Sequence, residues 1–441
     1  MPKSFLVSGD LHLGRRTVHS LNEGGESLLS VSDTWQAMVD LAVDREVEAV
    51  LLTGDLIDKE NRFFEARHAL ITGIDKLQEH RIRVYAVAGN HDAGVLPEIA
   101  DSLDQQKNFR LIGRGRKWES VTHQCRDGKN VEIAGWSFDR EQVYENPLAA
   151  LNFKPASSLA VAMLHCDLDA SPDSPYAPVS MADLTHSRWP VWLLGHIHKP
   201  EVITEHNPLV MYPGSPHALH ANEKGNHGPY LLQLHPDGSA SAEQLPLSPI
   251  RYESVEINLD QFPDEADWKS GFLNRIHQAV KTEQYDRLAY RSLDVICTGD
   301  PQPFKQIEKY FSNESERQLG GRPAMQIRKL VDRTGLPKAD LMALAGKPNL
   351  IGILAGLINE LESNKLTPRS EELLKHVEGI KNKVYRHPTF QPLLDEEPEE
   401  DSAAPEGQEE DIEGLVLQAA RDWLTELRKQ EMEAQNEQGK Y

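Results

Sequence analysis

Five short motifs carry the residues of this chain that could do chemistry. They are Asp10-Leu11-His12, Gly54-Asp55-Leu56-Ile57-Asp58, Gly89-Asn90-His91-Asp92, a lone His165 and Gly195-His196-Ile197-His198. Together they offer carboxylates, an amide oxygen and several imidazoles, enough to hold two metal ions side by side. An oxygen and nitrogen donor set without cysteine suits Mn, Fe or Zn, and not calcium or a closed structural zinc site. Two metals sharing a carboxylate form a device for cleaving phosphate esters.

Each motif follows an apolar run. Phe5-Leu6-Val7 leads into Asp10, Ala49 to Leu52 into Asp55, and Val84 to Ala88 into Asn90. Ala160 to Leu164 leads into His165, and Val191 to Leu194 into His196. Runs this short and β-rich predict strands buried on both faces. Each candidate ligand then sits past the carboxyl end of a strand, where open α/β sheets bind their ligands. Five distant stretches can so converge on one pocket. Taken singly, a Gly-Asp pair is a turn and a lone histidine an ordinary loop or core residue. It is the recurrence at five strand ends that points to a site.

The motifs, in this order, resemble the calcineurin-type metallophosphoesterase superfamily. Ser8-Gly9-Asp10-Leu11-His12-Leu13-Gly14, Leu194-Gly195-His196-Ile197-His198-Lys199-Pro200, Met211-Tyr212-Pro213-Gly214-Ser215-Pro216 and Glu223-Lys224-Gly225 are similar to the SbcD and YhaO group of DNA repair exonucleases. Ile57 stands where many of these nucleases carry Phe and keeps the position apolar. The resemblance covers residues 1–250 well and the remainder only in layout.

The resemblance implies roles. Asp55 bridges two divalent metals, with Mn2+ favoured and Fe or Zn as options. Asp10, His12 and His198 complete one site, and Asn90, His165 and His196 the other. A metal-activated water attacks phosphorus in line, and His91 protonates the leaving oxygen. Asp92 is a candidate orienting partner for His91, and Asp58 a support behind the ligands. His217, His220 and His227 follow the Tyr-Pro-Gly-Ser loop and are weighed as site neighbours or plain loop residues.

The chain has 441 residues, enough for two or three domains. It holds no run of about 18 apolar residues, so no membrane-spanning helix is expected. Met1 to Ser4 runs straight into the first strand and leaves no room for a signal peptide. Cys125, Cys166 and Cys297 are few, odd in number and scattered, which fits a reducing cytoplasm. Cys166 reads as a small buried residue, because its side chain points away from that of His165. The net charge of −22 is unusual for a DNA-binding protein. Part of it lies in an acidic tract at 390–411, read as a flexible linker. Arg15, Arg16, Arg110, Arg114, Arg116, Lys117 and Arg322 are the candidate phosphate contacts, against a plain surface role for each.

The expected fold is α/β: a two-sheet metallophosphoesterase sandwich with a small α/β capping domain and C-terminal helices. Residues 1–250 form the nuclease domain, with helices at 33–46, capped by Ser32 or Asp33, and at 63–79. Later strands fall at 131–135, 209–212 and 230–234. Residues 251–337 form the capping domain, with strands at 254–259 and 288–297 and helices at 264–281 and 301–312. A helical segment, 338–389, reads as helices at 338–363 and 369–386. Beyond the linker, Ile412, Leu415, Val416, Ala419, Ala420, Trp423, Leu424 and Leu427 recur at helical spacing over 412–441. An isolated helix of this kind needs a surface, either its own domain or a partner. In the family the resemblance names, segments after the capping domain bind an SMC-like ATPase. This chain has no Gly-x-x-x-x-Gly-Lys-Ser/Thr motif, so ATP hydrolysis would fall to another subunit.

The leading expectation is a two-metal DNA nuclease, exonuclease or endonuclease, in a complex with an SMC-like ATPase, with the nuclease as a homodimer. The alternative is a phosphoesterase for nucleotides, cyclic nucleotides or phosphoproteins. A non-catalytic scaffold is the third reading, and its sign would be a missing ligand or acid.

Overall fold

The computed structural model describes residues 2–15, 30–58, 63–104, 108–171, 173–259, 268–280, 285–299, 301–335, 338–363, 365–385, 412–417, 419–421, 423–424 and 427. Arg16, the tract at 390–411 and all of 428–441 lie outside them. By density of contacts the chain divides into two compact units. The first holds Met1–Ser254, Lys281–Asp294 and Arg317–Arg328; the second holds Val255–Val280, Val295–Glu316 and Lys329–Tyr441.

Two six-stranded sheets make the first unit. One runs β12-β11-β1-β2-β3-β4, with β1 (Lys3–Ser8), β2 (Ala49–Leu52), β3 (Arg83–Ala86), β4 (Phe109–Leu111), β11 (Tyr230–Leu234) and β12 (Ala240–Gln244). The other runs β5-β6-β7-β8-β10-β9, with β5 (Glu119–Gln124), β6 (Asn130–Trp136), β7 (Ala160–His165), β8 (Val191–Gly195), β9 (Glu201–Thr204) and β10 (Leu209–Tyr212). Within the first sheet β1, β2, β3 and β4 are parallel, and within the second β6, β7, β8 and β10 are parallel.

Strand periodicity explains how such apolar runs serve two cores at once. Successive side chains point to opposite faces. Phe5, Val7, Leu51 and Tyr85 meet Val161, Met163, Val191 and Leu193 between the sheets. Their neighbours Leu6, Val50, Leu52 and Val84 face outward against the helices. On the second sheet Ala162, Leu164, Trp192 and Leu194 form a third cluster with Leu184. A strand buried on both faces has no polar alternation to show, as the continuous apolar runs predicted. Each fully buried Leu, Val or Phe in these layers contributes roughly 1.5–3 kcal/mol.

Helices α1 (Val31–Asp44), α2 (Phe63–Glu79) and α3 (Leu96–Asp104) cover the first sheet. The cap of α1 is Ser30, whose Oγ accepts from the Asp33 N–H at 3.0 Å. The helix therefore starts two residues before the expected 33, and neither Ser32 nor Asp33 is the N-cap. Val31 is buried, so starting earlier covers one more apolar side chain. Trp35 Nε1 donates to the Ala69 carbonyl at 3.0 Å and ties α1 to α2. On the second sheet α4 (Met181–Ser187) carries a capping box between Ser180 and Asp183.

A third sheet runs β13-β14-β16-β15, with β13 (Ile250–Asn258), β14 (Tyr290–Gly299), β15 (Gln318–Gly320) and β16 (Ala324–Thr334). The strands expected at 254–259 and 288–297 fall within or beside β13 and β14. Strand β16 was not foreseen: its sequence mixes Arg, Lys and Asp into the apolar positions, and only Met325 and Ile327 in it are buried. In the second unit lie α5 (Trp268–Ala279) and α6 (Pro301–Phe311), close to the expected helices, and a short α7 (Glu314–Arg317). The helix read over 338–363 is two: α8 (Lys338–Ala345) and α9 (Leu350–Glu362). Pro348 breaks the run, and Asn349 restarts it by accepting from the Gly352 N–H at 3.0 Å. Then comes α10 (Pro368–Tyr385).

Residues 412–417 are helical, as are the described positions beyond them. Ala420 and Leu424 are buried among Leu341, Leu344, Ile351, Ala355 and Ile358 of α8 and α9. Arg421 pairs with Glu362 at 2.8 Å. Of the two surfaces weighed for the stripe, its own unit takes half of it, since α9 offers an apolar face. The other half stays open, with Trp423 63% and Leu415 49% exposed. Leu424→Asp is therefore expected to lower the melting temperature of the chain by several degrees, because a buried unpaired charge is expensive. Trp423→Asp should leave it nearly unchanged. Differential scanning calorimetry of the two variants checks this, and equal melting temperatures would show that the docked helix adds no stability.

Candidate metal centre

The loops after β1, β2, β3, β7 and β8 meet at the carboxyl ends of the two sheets. Local backbone is bent to achieve it. Asp10 (φ 49°), His12 (φ 46°), Asp55 (φ 52°) and His196 (φ 96°) all sit in the left-handed region. Such conformations cost free energy for residues with a Cβ and concentrate at functional sites. Backbone bonds hold the loops in register: Asp10 N–H donates to Gly54 O at 2.9 Å, and His12 N–H to Asp55 O at 3.0 Å. The close approach leaves no space for a side chain at Gly89, where a Cβ would lie 2.1 Å from Asp55 Oδ1.

Two donor clusters result. Asp10, His12 and His198 offer ligand atoms within 4.8 Å of one another, and so do Asp10, Asp55 and His165. His12 Nε2 and His198 Nε2 are 3.1 Å apart. His165 Nε2 lies 3.0 Å from Asn90 Oδ1 and 3.3 Å from Asp55 Oδ2. His12 Nε2 is 4.0 Å from the same Asp55 oxygen. The Asp55 carboxylate thus faces both clusters. The ring of His196 packs on that of His165 with centroids 5.4 Å apart, and the His196 backbone N–H donates to Asp10 Oδ1 at 3.0 Å. All seven predicted metal-site residues therefore come together.

The two remaining predicted residues go different ways. His91 is half-buried beside His12, with ring centroids 5.1 Å apart, and its backbone N–H donates to Asp55 Oδ1 at 2.9 Å. Asp92 is fully buried, and its two oxygens accept from Gly89 N–H at 2.8 Å and Leu56 N–H at 2.6 Å. Asp92 so laces the Gly-Asn-His-Asp loop to the Gly-Asp loop, and no bond to the His91 ring is seen. Asp58 is buried, with its N–H on Leu13 O. His217 bonds Thr34 and His227 bonds the Ser215 carbonyl, both in the core. His220 approaches the site through Glu223.

Charge shapes the pocket. Burial alone would raise the Asp55 pKa, but His165, His91 and His12 outweigh it and hold the carboxyl well below its usual range. Burial also works against a charged His165, yet Asp55 and Asp10 raise it to about 9. Burial and the nearby His198 push His12 well down, leaving a neutral ring that can donate a lone pair. Burial, then the charge of Asp55, takes Asp92 up to about 7. Burial pushes the Cys166 thiol far above its ordinary value, in keeping with a packing residue and not a nucleophile.

Residues 6–232 match the profile of the calcineurin-like phosphoesterase superfamily domain. The chain belongs to this superfamily. An uncharacterised metallophosphoesterase of Bacillus subtilis, YhaO, is 30% identical over 265 residues, 58% of this chain and 64% of that protein. The DNA double-strand break repair protein Mre11 of Sulfolobus acidocaldarius is 25% identical over 246 residues, 53% of this chain and 61% of that protein. The match thus spans less than two thirds of either relative. Among solved structures, the calcineurin-like phosphoesterase YfkN of Bacillus subtilis overlaps 63% of this chain and 97% of its own, at 14% identity and a TM-score of 0.37.

A calcineurin-like phosphoesterase is a hydrolase with a dinuclear divalent-metal site. The residues here fit such a pair. Asp10 Oδ2 is buried with no hydrogen-bond partner. Two ring nitrogens each about 2.1 Å from one ion lie roughly 3–3.4 Å apart, and the His12 to His198 separation of 3.1 Å matches. Second nitrogens are already committed: His165 Nδ1 to Thr53 O at 3.0 Å, His196 Nε2 to Asp167 at 3.2 Å and His198 Nδ1 to Glu223 at 2.7 Å. Such partners fix the tautomer and aim the free nitrogen.

Asp167 was missed by the sequence reading, and Glu223 was noted only within a motif. Spacing held a clue to the first: Asp167 is two residues beyond His165, on the same side of the chain. Tyr176, whose ring lies 4.4 Å from that of His196, had no local signal. The expected phosphate contacts fare less well. Arg110 pairs with Glu119 at 2.6 Å, Arg114 with Asp101 at 2.6 Å and Arg116 with Asp139 at 3.1 Å. Lys117 and Arg322 are exposed. Exposed pairs of this kind contribute only about 0–1 kcal/mol each and can be exchanged for phosphate.

Proposed function

We propose that this protein is a two-metal-dependent DNA nuclease, cutting phosphodiester bonds as an exonuclease or endonuclease within a cytoplasmic complex that contains an SMC-like ATPase. One observation carries the chemistry: the Asp55 carboxylate faces two donor clusters, Asp10 with His12 and His198, and Asp10 with His165. Asn90 and His196 complete the second site. Two divalent ions held there, Mn2+ by preference, would lower the pKa of a bound water and neutralise the phosphate oxygens. His91 stands beside His12 and is free to give a proton to the leaving oxygen. Asp92 holds the loop that carries it.

DNA as substrate is supported by the similarity to Mre11 and by the Tyr-Pro-Gly-Ser and Glu-Lys-Gly motifs. A partner is supported by the open half of the terminal helix. Leu350, Leu354, Leu373, Val377, Leu415 and Trp423 line an apolar groove of about 430 Å³. Apolar grooves of this kind accept an amphipathic helix. A nuclease homodimer would present two such grooves.

The deciding assay uses end-labelled linear and single-stranded DNA with Mn2+, Mg2+ or EDTA. DNA should be degraded with Mn2+ and left intact with EDTA. A smaller phosphate ester is the second reading, favoured by the pairing of Arg110, Arg114 and Arg116 with carboxylates. Turnover of a cyclic nucleotide far faster than of DNA would establish that reading instead.

Among the described residues no helix is long and apolar enough to cross a membrane.

A further inference from the structure

Glu223 is a buried carboxylate with three partners. Its Oε1 lies 2.7 Å from His198 Nδ1 and 3.1 Å from His220 Nε2. Its Oε2 accepts the Leu219 N–H at 2.6 Å. A carboxylate accepts only, so His198 Nδ1 must carry the proton. His198 Nε2 is then the lone-pair nitrogen, and it is the one that faces His12 Nε2.

The next residue fixes the carboxylate in place. Lys224 Nζ lies 3.1 Å from Asp294 and 2.5 Å from Ser254 Oγ. Asp294 is gripped in turn by both arms of Arg328, at 2.8 and 2.9 Å. Gly225 N–H donates to the Tyr252 carbonyl at 2.9 Å. Glu223 therefore faces the metal centre, while Lys224 and Gly225 hold to the strands beside it.

We infer that Glu223 is a positioning residue of the metal centre, setting the tautomer and aim of His198 while Lys224 anchors it. The inference rests on the two-metal reading of the site. His220 touches the same oxygen from the exposed side and is dispensable to this role. A carboxylate behind a ligating histidine is worth about 10- to 100-fold in metal affinity or activity.

The test uses the full chain and four variants: Glu223→Gln, Glu223→Ala, Glu223→Asp and His220→Ala. Mn2+ stoichiometry and affinity are measured by titration calorimetry, and the melting temperature of each chelator-treated protein is taken alongside. Wild type should bind two ions. Glu223→Gln should keep its melting temperature near wild type and bind one of the two about 10- to 100-fold more weakly. Glu223→Asp should recover part of the loss, and His220→Ala should bind as wild type. Should Glu223→Ala fail to fold, because Leu219 N–H loses its acceptor, Glu223→Gln decides alone. Wild-type affinity for both ions in Glu223→Gln would overturn the inference. A wild-type protein that binds no Mn2+ would instead overturn the two-metal reading, whatever the variants do.

Discussion

Asp55→Ala is expected to remove both metals and with them all measurable hydrolysis. The residue faces His165 Nε2 at 3.3 Å and His12 Nε2 at 4.0 Å, so each cluster loses a donor when it is cut back. Without the carboxylate, two cations would sit side by side with one negative charge fewer between them. The loss is expected to reach about 10³-fold or more, the scale at which preorganised charge stabilises phosphoryl transfer. The fold should survive, since Asp55 lies in a loop and the strand before it is packed by Ala49 to Leu52. Metal content after desalting, read with DNA hydrolysis and melting temperature, separates the outcomes. Retention of two ions by a folded Asp55→Ala protein would mean that Asp55 is not the bridge.

His91→Ala should behave in the opposite way toward metal. The bond from residue 91 to Asp55 runs through the backbone N–H, which alanine keeps. Both ions should stay, while DNA cleavage falls by about 10²- to 10⁴-fold, the range for a lost general acid. The leaving group supplies an internal control. A deoxyribose oxygen needs a proton as it departs, whereas p-nitrophenolate does not. Hydrolysis of bis-p-nitrophenyl phosphate should therefore suffer much less than hydrolysis of DNA. Equal losses on both substrates would assign His91 to binding or to metal support and not to proton delivery.

These two residues illustrate how far local sequence reaches. Types and order of the motifs were enough to single out the residues that gather at the site, because each motif closes a strand whose apolar run announces it. The strands themselves were legible because burial on both faces leaves no polar alternation. What failed was reasoning about pairs. Asp92 follows His91 directly, yet its oxygens turn to Gly89 and Leu56, since two buried backbone N–H groups demand an acceptor. Arg110, Arg114 and Arg116 were weighed as phosphate contacts or plain surface, and each met a carboxylate brought from elsewhere in the fold. The terminal stripe left open whether its own domain or a partner would cover it, and half of it found an apolar face on α9.

By itself, then, the sequence determined the superfamily, the strand framework and the residues that gather at its carboxyl ends. Those properties depend on side-chain type and on short-range periodicity, and both are written in consecutive residues. The tertiary structure alone decided which nitrogen of each histidine is free. Asp167 reaches His196 from the same loop as His165, while Glu223 reaches His198 from 25 residues away. A hydrogen bond of 2.7 Å depends on the angles and registers of every strand between its partners, and no local pattern encodes that sum.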